Sequence, residues 1–331
     1  MHKILITDPI SDHGLKILEH DSLEVICKPD ISEEELETIL PSINGWIIRS
    51  GTTIEKKHIQ EAKKLSIIGR AGVGVDNIDI QSATSSGVVV MNLPDGNTIS
   101  AAEHTMSLLS ALSRNVHSGH LGLMKGEWNR HKLVGNELKG KTLGIVGLGK
   151  IGREVMKRAL SYEMKIIGHD PFVNQSMFDP EKVKIVDIEE VTLESDFITL
   201  HVPLIDATRD LFNLERLKMM KPTSRIINVA RGGIINEKDL SIALNEDVIA
   251  GAAIDVFVKE PIENDHPFLS TKNLLITPHL GASTVEAKEE VSKGICQQVK
   301  DYLLDQKMSN VLNIPIADMS VLKELKPYLD M

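Results

Sequence analysis

The sequence predicts an α/β protein with two doubly wound parallel sheets. Short β-branched runs recur along the whole length, amphipathic stretches separate them, and 331 residues with 42% hydrophobic side chains can fill two cores. The first series of runs is Lys3–Thr7, Glu24–Cys27, Trp46–Ile48, Ser66–Ile68 and Val88–Met91, an open sheet of about five strands. The stretch from Ser32 to Leu40 opens S-E-E-E, so Ser32 is expected to cap a helix and Glu35 to close a capping box. A long helix is expected from Ser100 to about Lys125, with Ser100 and Glu103 as a second box. Its small, apolar first half predicts burial at an interface between domains or subunits. Six further runs follow: Thr142–Val146, Lys165–Gly168, Phe197–His201, Arg225–Val229, Gly251–Ile254 and Leu274–Thr277. A last helix, from Thr284 to about Gln306 and capped within S-T-V-E, is long enough to return to the first domain.

Composition excludes several classes of function. With 37 basic and 47 acidic residues the chain carries a net charge of −10, so general nucleic-acid binding is not expected, since that requires a basic surface. A local arginine cluster can still hold a small anion. Two cysteines, Cys27 and Cys296, make neither a disulfide framework nor a zinc site, and no metal is expected. No apolar run approaches the roughly 20 residues of a membrane helix, and no signal segment opens the chain. A reducing, cytoplasmic location is expected.

The sharpest motif is K-T-L-G-I-V-G-L-G-K-I-G-R-E-V, residues 141–155, between an apolar run and a helical stretch. Gly147, Gly149 and Gly152 fill the G-x-G-x-x-G pattern. The first permits a tight turn, the second admits a pyrophosphate to the backbone, and the third lets helix and strand approach. Amides at the helix start then face the diphosphate. The next strand, K-I-I-G-H-D, ends on Asp170, at about the spacing at which a carboxylate binds the ribose hydroxyls and repels a 2′-phosphate. The cofactor expected is NAD rather than NADP.

Three polar residues follow later strands, where an open α/β sheet faces its ligand crevice. Arg231 follows R-I-I-N-V-A, Glu260 lies in V-F-V-K-E-P, and His279 in L-L-I-T-P-H-L-G-A-S. Moving a hydride off an alcohol requires a base for the hydroxyl proton, and histidine titrates in the useful range. A carboxylate beside it would orient the ring and sustain the imidazolium. An arginine can fork onto a substrate carboxylate and polarise the adjacent carbonyl. Singly, each has a plain reading as surface charge or loop clamp. Their shared position after strands of one sheet makes them a set.

Across nearly its whole length the chain resembles the D-isomer-specific 2-hydroxyacid dehydrogenases, and among them the phosphoglycerate-oxidising branch. The blocks that carry this are G-R-A-G-V-G-V-D-N-I-D, V-M-N-L-P-D-G-N-T-I-S-A-A-E-H-T, the glycine-loop segment, N-V-A-R-G-G-I-I-N-E-K-D-L, G-A-A-I-D-V-F and P-H-L-G-A-S-T. The resemblance implies a Rossmann-type NAD domain, residues 99–283, inserted into a flavodoxin-like substrate domain of residues 1–98 and 284–315, with 316–331 as a tail. It implies the same trio, Arg231, Glu260 and His279. It adds cofactor contacts at Val73, Lys150, Ile151, Val202, Val229, Ala230, Arg231, Asp255, His279, Gly281 and Ala282. Val73 stands where some relatives carry threonine, a change that a backbone contact survives.

For the substrate the resemblance implies Arg49 and Arg70, each after a strand of the first domain, with backbone amides from Gly72, Val73 and Gly74 as an anion nest and with Arg231 and His279. It implies a homodimer built on the cofactor domains, extending to a tetramer in some forms, with Arg130 and Lys132 after Trp128 reaching across it; surface solvation is the simpler reading of Lys132. The activity implied is oxidation of D-3-phosphoglycerate with NAD, the first step of phosphorylated serine synthesis. Two alternatives remain open at this point: a glyoxylate/hydroxypyruvate or D-lactate-type enzyme with the same trio, and a non-catalytic NAD-sensing adaptor on the same fold. Longer relatives carry a βαββαβ serine-binding module. The stretch after Gln306 is too short for such a core, below the ~40 residues that usually need a staple, so no inhibition by L-serine is expected of this chain.

Overall fold

The computed structural model describes residues 1–313; the expectation for a tail at 316–331 lies outside the described residues. The described residues form two compact units, Met1–Asn97 together with residues 284–313, and Thr98–Ser283.

The first unit holds β1 (His2–Ile6), β2 (Leu23–Cys27), β3 (Gly45–Ile48), β4 (Ile67–Arg70) and β5 (Val89–Met91), all parallel, in the order β2-β1-β3-β4-β5. This is a doubly wound order whose direction reverses between β1 and β3. Side chains alternate along each strand, so the sheet feeds two cores. Ile4, Ile6, Ile47 and Ile67 pack with Val291, Ile295 and Val299 on one face, and Leu5, Trp46, Ile48 and Ile68 with Leu36 and Ile59 on the other. The first of these cores shows that the final helix, Val285–Asp305, does return to the first sheet. Thr284 caps it, accepting the Ala287 N–H.

The second unit holds β6 (Thr142–Val146), β7 (Lys165–His169), β8 (Val183–Ile185), β9 (Phe197–Leu200), β10 (Arg225–Asn228), β11 (Gly251–Ile254) and β12 (Leu274–Ile276), again all parallel. Their order is β12-β11-β10-β9-β6-β7-β8, so the reversal falls between β6 and β9. Both sheets therefore have the predicted doubly wound parallel form. β8 is an addition to the six expected strands. Its three residues, V-K-I, are too short to show alternation, and only pairing with β7 makes them a strand.

Three local expectations are corrected. Ser32 caps the helix Glu33–Ile39 through the Glu35 N–H, but the Glu35 carboxylate turns to Lys28 and no box closes. The long helix is two, Thr98–Ser113 and Val116–Met124, broken where Asn115 takes a left-handed conformation at φ 53°, which asparagine tolerates better than most residues. The first of these begins before Ser100, so Ser100 lies inside its first turn, and Glu103 reaches Arg158 at 3.0 Å. The small apolar stretch is indeed buried, but within its own unit: Ala102, Met106, Leu109 and Leu112 pack against Val155, Ala159, Leu143 and Ile227. Among the described residues no helix is long and apolar enough to cross a membrane.

Candidate active site

At the reversal of the second sheet, β6 runs into the glycine loop. Gly147 has φ +95°, and a Cβ there would lie 2.5 Å from the His201 carbonyl that follows β9. A Cβ on Gly152 would lie 2.0 Å from the Gly147 carbonyl. Both positions therefore exclude any side chain. Gly149 differs, since nothing lies within 4 Å of its Cβ position. It is the N-cap of the helix Lys150–Ser161 and offers no side-chain bond to the N–H groups of Lys150, Ile151 and Gly152. Backbone N–H groups at the positive end of a helix dipole suit a diphosphate.

The loop's central peptide is held from both sides. The Leu148 N–H donates to Asp170 Oδ2 at 2.8 Å, and the Leu148 carbonyl accepts from Arg153 Nε at 2.8 Å. Asp170 Oδ1 also accepts the Phe172 N–H at 2.9 Å. The predicted ribose ligand is thus part of the loop's own scaffold. Each of its oxygens retains a lone-pair direction for a hydroxyl.

Three loops of this unit meet beside β10, β11 and β12. After β10, Asn228 ties the turn by accepting the Ala230 N–H and donating to the Arg231 carbonyl, and Arg231 Nη1 donates to the Ala230 carbonyl at 2.7 Å. A Cβ on Gly232 would lie 2.0 Å from the Phe257 carbonyl carbon, so the arginine loop packs directly on the backbone that leads to Glu260. Glu260 Oε1 accepts the Phe257 N–H at 2.9 Å, and Oε2 meets His279 Nδ1 at 2.6 Å. Phe257, Pro261, Ile276 and Pro278 surround a hollow of about 300 Å³ beside the pair. Burial there opposes charge on Glu260, but the His279 ring and the Phe257 N–H outweigh it and hold the carboxyl below its ordinary value. An ionised Glu260 makes Nδ1 the proton donor of that bond and leaves His279 Nε2 as the acceptor.

His279 itself sits in the left-handed region, φ 53°. Its N–H donates to the Asp255 carbonyl at 2.8 Å, and the Leu280 and Gly281 N–H groups donate to the Asp255 carboxylate at 2.8 Å each. That carboxylate is fully buried beneath the turn, where Thr277 and His104 also reach it. His201, the histidine after β9, has a different fate. Burial pushes its imidazole down to about 3, so it stays neutral at working pH.

In the first unit Arg49 directly follows β3 and Arg70 ends the adjacent β4. The Arg49 N–H is held by buried Asp8 Oδ2 at 2.7 Å, the same oxygen that takes the Thr52 N–H at 3.1 Å, while Arg49 Nε is buried without a protein acceptor. The Arg70 guanidinium folds back over Gly72, which has φ +146°, and the Val73 carbonyl accepts from Asn92. Gly74 completes this segment. The sequence pattern marks both arginines but not Asp8, which only the junction of β1 and β3 brings to Arg49.

Residues 106–281 match the family described as the D-isomer specific 2-hydroxyacid dehydrogenase, NAD binding domain. The chain is 44% identical over 330 residues to the D-3-phosphoglycerate dehydrogenase of Methanocaldococcus jannaschii, covering 99% of this chain and 63% of that protein. It is 40% identical over 329 residues to the human protein of the same name, covering 62% of it. The chain thus spans about three fifths of the length of these curated relatives. Among solved structures it is similar to the TT0316 protein of Thermus thermophilus, at 30% identity and TM-score 0.86 over 94% of this chain and 99% of that one. An NAD-dependent formate dehydrogenase of Staphylococcus aureus, solved with NAD, matches at 29% identity and TM-score 0.84, covering 94% of this chain and 99% of that one. The chain belongs to the D-isomer specific 2-hydroxyacid dehydrogenase family.

Proposed function

We propose that the protein oxidises D-3-phosphoglycerate to 3-phosphohydroxypyruvate with NAD, the reaction that opens phosphorylated serine synthesis. The observation that carries this reading is the His279–Glu260 pair, 2.6 Å apart, at the C-terminal end of the sheet whose reversal bears the glycine loop. The names of the curated relatives support the substrate.

Gly147, Gly149, Lys150, Ile151 and Gly152 would hold the cofactor's diphosphate, and Asp170 its adenosine ribose. Val202, Val229, Ala230, Gly281 and Ala282 border the nicotinamide position in this reading. A nicotinamide held there would supply the acceptor for the hydride that leaves C2 of the substrate. His279 Nε2 takes the hydroxyl proton, and Glu260 stays ionised and stabilises the imidazolium that forms. Arg231 holds the substrate carboxylate and polarises the oxygen on C2 as it becomes a carbonyl. Arg49 and Arg70 bind the phosphate, with amides from Gly72 to Gly74.

A homodimer is part of this reading. The helix Val116–Met124 buries none of its residues, and Leu121, Leu123, Met124 and Trp128 are exposed around it, a cluster that a soluble monomer rarely leaves uncovered. Arg130, in the turn Arg130–Lys132, lies next to this surface in sequence. The free thiols Cys27 and Cys296 fit a cytoplasmic enzyme.

The test is NADH formation from D-3-phosphoglycerate with the keto product trapped, set against D-glycerate, D-lactate and glycolate. Preferred turnover of the phosphorylated substrate supports the reading. Equal or better turnover of an unphosphorylated acid would assign the protein to another member of the family, and no turnover of any would indicate an NAD-binding adaptor.

A further inference from the structure

Three consecutive backbone N–H groups, those of His279, Leu280 and Gly281, all end on Asp255. A left-handed histidine is uncommon, and buried Asp255 is central to holding this one, beside the Thr277 carbonyl, which shares the His279 N–H at 3.0 Å. The arrangement therefore depends on what keeps the Asp255 carboxylate in place and charged. Its Oδ1 accepts from Thr277 Oγ1 at 2.5 Å, from the Leu280 N–H, and from His104 Nε2 at 3.2 Å. His104 belongs to the helix Thr98–Ser113, and its side chain is 18% exposed against 0% for Asp255. Among the described residues its side-chain donors are Thr277 and His104, and of the two only His104 comes from a helix.

We propose that His104 is a positioning residue for His279: through Asp255 it fixes the left-handed turn that presents the imidazole to Glu260. The inference rests on the reading of His279 as the acid–base group. A buried carboxylate deprived of one of its side-chain donors is poorly compensated, and among the described residues Thr277 is the other side-chain donor to it. The charged neighbour on the same helix does not substitute, because Glu103 is an anion and pairs with Arg158. Burial opposes charge on Asp255, yet the bonds from His104, Thr277 and Leu280 hold its carboxyl below the ordinary value, as a working anchor requires.

The experiment compares wild type, His104→Leu and His104→Gln by two readouts. One is kcat and KM for oxidation across pH. The other is the titration of the His279 imidazole followed by NMR in the absence of substrate. His104→Leu should lower kcat about tenfold, the scale of one charge-assisted hydrogen bond, with KM values within about threefold. It should also displace the His279 titration. His104→Gln, whose amide can donate to the same oxygen, should restore both to within about threefold of wild type. If the leucine variant does not fold, His104→Ala carries the same test. Wild-type kcat, pH profile and His279 titration in the donor-less variant would overturn the inference. A displaced titration in a protein that oxidises no 2-hydroxy acid would uphold the coupling and refute the proposed function.

Discussion

Replacing Glu260 with glutamine keeps the side chain's shape and removes one charge. In the wild type both carboxylate oxygens are committed, Oε1 to the Phe257 N–H at 2.9 Å and Oε2 to His279 Nδ1 at 2.6 Å. Glutamine has one oxygen for these two positions. If it stays on the Phe257 N–H, the amide NH₂ faces Nδ1, which must then accept, so the ring proton moves to Nε2 and the base is lost. If it faces His279 instead, the amide opposes the Phe257 N–H. A charge-assisted hydrogen bond contributes about 1.5–3 kcal/mol. The His279 and Glu260 side chains are 44% and 35% exposed, and solvent screening favours the lower end of that range. The expected loss is roughly tenfold in kcat/KM for D-3-phosphoglycerate, about 1.4 kcal/mol. The pH dependence has a definite sign. Because the Glu260 carboxyl is held below its ordinary value, its support of the imidazolium is complete above about pH 4.3 and is lost only as pH falls through the lowered value. At neutral pH Glu260 is therefore charged. The assay is kcat/KM against pH for both proteins, with NAD affinity measured separately by fluorescence. An unchanged rate and profile in Glu260→Gln would refute the assigned role of the pair.

Asp170→Ala should raise kcat/KM with NADP while weakening NAD, and because Asp170 also holds the Leu148 and Phe172 N–H groups, the variant should melt a few degrees lower, consistent with about 1–2 kcal/mol lost. Steady-state kinetics with both cofactors and a thermal melt check this; a wild type indifferent to the 2′-phosphate would contradict it. Arg49→Ala or Arg70→Ala should raise KM for D-3-phosphoglycerate by about tenfold or more and KM for D-glycerate far less, and equal losses on both substrates would point to a structural arginine. Gly152→Ala places a methyl 2.0 Å from the Gly147 carbonyl, so it should displace the loop and weaken NAD binding by about tenfold or more, the scale of a 1–3 kcal/mol overpacking cost; calorimetric titration with NAD would show it.

Much of this architecture was legible in the sequence because parallel strands buried on both faces read as apolar runs. All but one of the strands were anticipated to within two residues. The exception, β8, is too short to carry a period. Helix ends were harder. Asn115 breaks the expected long helix through its own backbone conformation, and Ser100 loses its cap role because the helix starts earlier. In the site, the position shortly after a strand of one sheet marked Arg231, Glu260 and His279 in the sequence, and the structure pairs the last two. Residues that act from a distance did not. Asp8 and Arg49 are 41 positions apart, and His104 and Asp255 are 151 apart. No local pattern marks such partners, and only the packing of a helix or a neighbouring strand end brings them together.

In the proposed function His279 takes the substrate's hydroxyl proton, and NAD binding does not depend on its side chain. Turnover of D-3-phosphoglycerate and the Kd for NAD, measured side by side in wild type and His279→Ala, test it most directly. The expected result is a loss of about 10²–10⁴-fold in kcat with NAD affinity changed by no more than a few-fold. Turnover preserved in His279→Ala, or lost only in proportion to NAD binding, would contradict it.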